Sequence, residues 1–284
     1  MRWISMLFAA VCFCGLACGS APAAEVEYPL PEHVAGARGD VTYLDLARRF
    51  VPDLEQADGG FVGTRHVALR HLAGEDYDNG GDDAYGFSYI SAVHIRADGK
   101  ERLLVLFDFA QAAPAPQGFA VLALYDVSAE PRLLDAAEIG MGQATYFFDQ
   151  AVLPISTRSD AALLISTHSN SQQSYAAHAM VMVREDKLQL VDRAFLFSDR
   201  GCSGERRQEI RYAAAPAAGD ALAPIIVTVT QTDVPGGSDC GDEPVLVAAE
   251  KKIRVGYRWD EAAGRYVADS DALVRLATEN EKRF

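Results

Sequence analysis

The densest group of chemistry-bearing side chains is the run Gly74 to Asp83, Gly-Glu-Asp-Tyr-Asp-Asn-Gly-Gly-Asp-Asp. Asp76, Asp78, Asp82 and Asp83 fall close together, and Gly80-Gly81 lets the chain curve tightly between them. Hard oxygen ligands on a short loop are what Ca²⁺ takes, so these four aspartates are the candidate metal ligands. Ca²⁺ is the one candidate ion, and no other cofactor is expected. The EF-hand spacing is not met, because the twelfth position counted from Asp76 is Phe87 instead of glutamate. A solvated acidic loop is the plainer reading of the same residues.

A second candidate is uncharged. Thr167-His-Ser-Asn-Ser-Gln-Gln-Ser-Tyr175 is dense in hydroxyls and amides and ends on an aromatic ring. Such groups hydrogen-bond sugars or peptide backbones, which makes His168, Asn170, Gln172, Gln173 and Tyr175 the candidate binding residues. The competing reading is an ordinary polar hairpin connection. Other constellations are weaker. His66 and His71 stand five apart, which on a strand places them on opposite faces, and neither they nor His168 and His178 have a cysteine or carboxylate at zinc-ligand spacing. Ser203 lies in Gly-Cys-Ser-Gly-Glu, where Glu205 occupies the place of the second glycine of a nucleophile elbow. No catalytic residue is assigned.

The compartment follows from the N-terminus. Arg2 precedes an apolar run, Ile4 to Ala17, that is too short to span a bilayer with the usual margin. Ala21-Pro22-Ala23 then fits a signal-peptidase site, so residues 1–23 read as a signal peptide and the protein as periplasmic or secreted. A lipoprotein anchored at Cys18 is the alternative, although Gly15 stands where that box wants a large aliphatic residue. Of five cysteines only Cys202 and Cys240 follow the leader, and in an oxidising compartment they are expected to form a disulfide. The formal charge of −14 disfavours nucleic acid and anionic lipid as partners. No further stretch is long and apolar enough to cross a membrane, which leaves a protein, a glycan or a small ligand.

The elements that must carry these groups are strands. Glu25 to Gly39 reads as an extended arm within residues 24–39, and residues 40–284 as one all-β domain. Asp40 is expected to cap a short helix with Val41, Leu44, Ala47 and Val51 on one face, ended by Pro52. Strands are expected over Phe61–Leu72, Phe87–Arg96 and Arg102–Phe109, with a turn at Asp98-Gly99. Three meanders then share an order of runs at an offset of about sixty residues: Leu103–Ile139, Asp160–Phe197 and, more loosely, Ile225–Val267. A last helix, Asp271 to Glu281, has Leu273, Val274 and Leu276 as its apolar side.

Repeated antiparallel meanders around a common core describe a propeller-like all-β fold with short N- and C-terminal helices, and a β-sandwich is the alternative. The hairpin Tyr257-Arg-Trp-Asp260 and Gly264-Arg-Tyr-Val267 resembles hairpins of exported bacterial β-propeller-type repeat proteins of the FG-GAP/VCBS sort. That resemblance implies calcium loops of alternating Asp or Asn ending in Asp-Gly. Here Ala97-Asp98-Gly99-Lys100 keeps the Asp-Gly and lacks the upstream carboxylates. The functional expectation is a non-catalytic binding or interaction module. A hydrolase using carboxylates or a metal at the acidic loop of residues 75–83 is the alternative.

Overall fold

The computed structural model describes residues 25–58, 60–72, 85–110, 119–215, 220–237 and 245–283. The expected leader, the acidic loop with Asp76, Asp78, Asp82 and Asp83, and Cys240 all lie outside them.

Alternating apolar residues build fourteen described strands and two short helices. The first sheet runs in chain order as β1 (Glu55–Ala57), β2 (Gly60–Gly63), β3 (Tyr85–Ala97), β4 (Lys100–Ala110), β5 (Phe119–Asp126) and β6 (Arg132–Glu138). The second holds β7 (Ala144–Pro154), β8 (Asp160–Ser169), β9 (Gln173–Arg184), β10 (Lys187–Gly201), β11 (Gly204–Ala214), β12 (Ile225–Pro235), β13 (Ala249–Asp260) and β14 (Arg265–Ala268). Every neighbouring pair is antiparallel, so both sheets are plain meanders.

The three expected meanders are visible as β4–β6, β8–β10 and β12–β14, each extended at its start by one more strand into β3–β6, β7–β10 and β11–β14. Their first strands begin at Tyr85, Ala144 and Gly204, about sixty residues apart. The second and third belong to one sheet only through a narrow join. β10 pairs with β9 from Lys187 to Asp199, but with β11 only at Asp199–Gly201 against Gly204–Arg206. Beyond that join the two strands part.

Strand alternation sends neighbouring residues of the middle meander into two different cores. Ala162, Leu164, Ala179, Val181 and Val183 meet Leu104, Leu106 and Leu122 of the first sheet. Ala161, Leu163, Met180 and Met182 meet Val227, Val229, Val255 and Tyr257 of the third meander. The strands therefore stack in layers, with β7 touching β3 and β4 on one side and β11 on the other. This arrangement shows an all-β, antiparallel fold; it does not show a propeller.

The outer face of the first sheet is covered. Helix α1 (Tyr43–Ala47) and the chain after it place Leu46, Phe50, Val51 and Leu54 on Val105, Phe107 and Phe109. Thr42 caps α1, where Asp40 was expected: its Oγ1 accepts from Asp45 N at 3.2 Å while Asp45 Oδ2 accepts from Thr42 N at 3.0 Å, a capping box. Strand β2 is also shorter than the expected Phe61–Leu72, because Asp53 accepts from Thr64 N and Arg65 N at 3.0 Å and turns the chain away. In helix α2 (Ala272–Glu281), Leu273 and Leu276 are buried as expected but Val274 is exposed. Asp98 with Gly99, and Glu185 with Asp186, adopt positive φ, which gives both hairpins the turn whose twist matches the flanking strands.

Candidate functional site

Those two hairpin turns meet beside a cleft of about 880 Å³. Asp98 Oδ2 accepts from Glu185 N at 2.8 Å, tying the β3–β4 turn to the β9–β10 turn. One wall is the arm, residues 27–37, anchored where Glu27 and Ala92 exchange backbone hydrogen bonds of 2.9 Å. Another wall is the β5–β6 turn with Asp126, Ser128 and Arg132.

Arg102 makes the floor and is only 4 % exposed. Its Nε and Nη2 donate to Asp186 Oδ1 at 3.0 and 2.9 Å, and Nη1 donates to the Glu101 carbonyl at 3.3 Å. Nη1 also stands 3.5 Å from Asp126 Oδ2. A buried guanidinium is tolerated because these partners replace its water. Asp126 is itself fixed: its Oδ1 accepts from Ser128 Oγ at 2.7 Å and Ser128 N at 3.0 Å, and Arg132 stands 3.3 Å from Oδ2. The Ser128 bonds foremost, then the two arginines, hold this carboxyl down at about 2. At the rim His94 Nδ1 pairs with Glu101 Oε1 at 2.9 Å. Tyr43 closes the base, its hydroxyl pushed up to about 12 by burial and by Glu27.

The charges in this cleft are thus largely paired among themselves, and Lys100 and Glu27 add one of each sign. Donors and acceptors alternate around a fixed floor. Such a surface matches a ligand with many hydroxyl or amide groups better than one with a large net charge.

The uncharged hairpin has a different fate. Strands β8 and β9 continue further than expected, so the connection shrinks to Asn170–Gln172. Asn170 Oδ1 accepts from Gln172 N at 2.9 Å and Gln173 N at 2.8 Å, which makes Asn170 the turn former. Tyr175 is half-buried, stacked on Phe195 at 5.8 Å and paired across the strands with His168. Gln172 and Gln173 are the two that face a depression of about 250 Å³, shared with Arg200, Ser203 and Arg206. Hence the five candidates do not converge on one point. Ser203 lies beside this depression, and Cys202 in the β10–β11 turn.

Two buried titratable groups stand apart from both sites: Asp108, which sequence reasoning passed over, and His178, which it weighed only as a zinc ligand. Asp108 on β4 is 2 % exposed and faces β7, where Thr145 N donates to Oδ2 at 3.4 Å. Its Oδ1 has no partner, and burial pushes the carboxyl up to about 7. Tyr89 and Ser166 complete the polar patch, bonding the Thr145 carbonyl and Thr145 Oγ1 respectively. On the other face of the second sheet His178 lies against Phe148 at 5.1 Å, and burial pushes its imidazole down to about 4. Both residues sit inside apolar strand runs, so only the layer packing reveals them. Among the described residues no three His, Cys, Asp or Glu side chains converge as a metal site. No helix among them is long and apolar enough to cross a membrane.

No protein-family model, curated protein or solved structure matches the chain.

Proposed function

We propose that the protein is an exported, non-catalytic binding module that takes a short glycan in the cleft between the arm and the β5–β6 turn. The observation that carries this reading is the Arg102 floor. A guanidinium held by Asp186, Asp126 and the Glu101 carbonyl costs nothing to reorganise when a ligand arrives, and preorganisation of that kind favours binding. Charged groups paired with each other still accept and donate hydrogen bonds at their free edges, which hydroxyls can meet in either sense.

Export is supported by the leader pattern, and an oxidising compartment would make Cys202 a half-cystine. Its partner in this reading is Cys240. Gly236 N and Leu246 N both donate to the Ser203 carbonyl at 3.0 Å, and Gly237 N donates to the Cys202 carbonyl at 3.1 Å. These bonds pin both ends of the segment that contains Cys240 onto the Cys202 turn. The kinship with propeller-type repeat proteins belongs to the same proposal and is supported by the threefold repetition of a four-stranded meander.

A second reading places recognition at the β8–β9 hairpin, favoured by Gln172 and Gln173 lining the depression beside Ser203. A glycan array probed with the mature chain and with the double variant His94→Ala, Arg132→Ala separates the two. Signals that vanish in the double variant support the cleft. Signals that survive it and vanish in Gln172→Ala, Gln173→Ala support the hairpin, and an array without signals counts against both.

A further inference from the structure

The two ends of the layered stack are finished differently. The first sheet has the arm, α1 and the chain that follows α1 packed over its outer face. In the third meander Ile210, Tyr212, Val227, Val229, Val255 and Tyr257 all point inward to the shared core, and the outward side chains gather into no apolar cluster. Those outward residues are in register across three strands. Arg211, Thr228 and Arg254 form one row, and Glu209, Thr230 and Lys252 the next. Arg258 extends the same face along β13.

Arg211, Arg254 and Arg258 are exposed, and Thr228 and Thr230 are half-buried between their stems. Strand spacing separates Arg211 from Arg254 by roughly 10 Å, and Arg254 from Arg258 by roughly 13 Å. Of the nearby carboxylates, Glu250 pairs with Lys252 at 3.0 Å, Asp269 Oδ1 accepts from Gly256 N at 3.0 Å on the stretch of β13 between Arg254 and Arg258, and Glu209 stands in the next row. Among the described residues no carboxylate comes within ion-pair distance of Arg211, Arg254 or Arg258. On a chain of formal charge −14, three exposed arginines without an ion-pair partner are the place where an anionic partner is attracted.

We infer that the outer face of β11–β13 docks an acidic polysaccharide. The cations are widely spaced and interleaved with threonine hydroxyls, and Glu209 lies in the next row as an acceptor. A polymer with carboxylates or sulfates on some of its sugars and hydroxyls on all of them matches both features. Nucleic acid, with a phosphate at every nucleotide, would bring dense charge against Glu209, Glu250 and the acidic remainder of the chain. Arg211 and Arg254 would each hold an acidic group in a charge-assisted hydrogen bond, with Thr228 between them bonding a hydroxyl. This inference does not depend on the cleft.

The test is binding of the full mature chain to immobilised polygalacturonate, with unsubstituted dextran, double-stranded DNA and polyglutamate as parallel surfaces. The chain is expected to bind polygalacturonate and not dextran, more weakly as salt rises. Arg211→Gln with Arg254→Gln is expected to weaken binding by about tenfold or more, as the loss of two charge-assisted contacts implies. Thr228→Val, which keeps the β-branched strand residue and both arginines, is expected to weaken it severalfold. The inference is overturned if the wild-type chain does not bind, if the double arginine variant binds equally, or if DNA or polyglutamate binds as well as polygalacturonate.

Discussion

Gln208 and Asn280 face each other as a reciprocal amide pair in the gap where β10 and β11 part. Gln208 Nε2 donates to Asn280 Oδ1 at 3.0 Å, and Asn280 Nδ2 donates to Gln208 Oε1 at 2.9 Å. Each also serves the backbone that the sheet ladder abandons there. Phe197 N donates to Gln208 Oε1 at 3.0 Å, and Asn280 Nδ2 donates to the Phe195 carbonyl at 2.9 Å. The Gln208–Asn280 pair is thus a side-chain substitute for part of the missing β10–β11 ladder, serving Phe197 N and the Phe195 carbonyl.

Removing that substitute has a defined cost. Asn280 is 1 % exposed, so Asn280→Ala takes from the Phe195 carbonyl its side-chain donor and from the buried Gln208 amide two of its four hydrogen bonds. A loss of about 2–4 kcal/mol is expected by urea denaturation, since each buried polar group left short of a partner costs roughly 1–3 kcal/mol. A loss below about 0.5 kcal/mol would mean that water replaces the amide freely.

The joint between the first sheet and the middle meander depends on Asp160. Buried at 4 % exposure, it accepts from Arg96 N at 2.8 Å, Nε at 3.1 Å and Nη2 at 2.6 Å. Asp160→Ala is expected to lower stability by about 1–3 kcal/mol, discounted because Arg96 itself is half exposed. Arg96→Ala should cost at least as much, because it leaves the buried carboxylate without its countercharge and with the residue 96 backbone N–H still donating to it. Thermal melts of the two variants check that order.

The two buried titratable groups should oppose each other in pH. Asp108 moves from 3.8 up to about 7, so the folded state binds the extra proton between those values. Its contribution is complete below pH 4 and is lost as pH rises through 7. His178 moves from 6.5 down to about 4, so the folded state binds fewer protons across nearly the same window. Its contribution is complete above pH 6.5 and is lost as pH falls through 4. Each slope reaches about 1.4 kcal/mol per pH unit at most, and the two nearly cancel between pH 4 and 6.5. Chemical denaturation across that range is expected to show a flat wild type. Asp108→Asn should become more stable as pH rises, and His178→Gln less stable. Parallel curves for all three proteins would contradict the assignment.

Mass spectrometry of the non-reduced mature chain should find Cys202 and Cys240 in one disulfide-linked peptide pair. A loop of about 38 residues gives an expected stabilisation of roughly 3–4 kcal/mol by chain entropy, read as the shift of the urea midpoint on reduction. Two free thiols in the untreated protein would overturn the pairing.

Much of the architecture was legible because most strands pair apolar alternation with turn chemistry. Asp98-Gly99 marked its hairpin. Strands β7 and β11 were not legible, although they begin the second and third meanders. A register shift between Phe147 and Val152 breaks the alternation of β7. In β11 only Gln208, Ile210 and Tyr212 point inward past the turn, between exposed Arg207, Glu209 and Arg211, so its apolar signal is thin. The cleft was invisible for another reason. Its groups come from the arm and three turns, Arg102 lies about 84 residues from Asp186, and only the stacking of layers brings them together. The polar hairpin stood out in sequence for its amides, yet Asn170 uses its own to close the turn.

The binding claim is tested most directly by titration calorimetry with an array-selected oligosaccharide. The wild-type chain is compared with His94→Ala/Arg132→Ala and with Gln172→Ala/Gln173→Ala. Our account predicts measurable heat for the wild type, affinity at least about tenfold weaker in the His94/Arg132 variant, and unchanged affinity in the glutamine variant. Equal affinity in the wild type and the His94/Arg132 variant would contradict it.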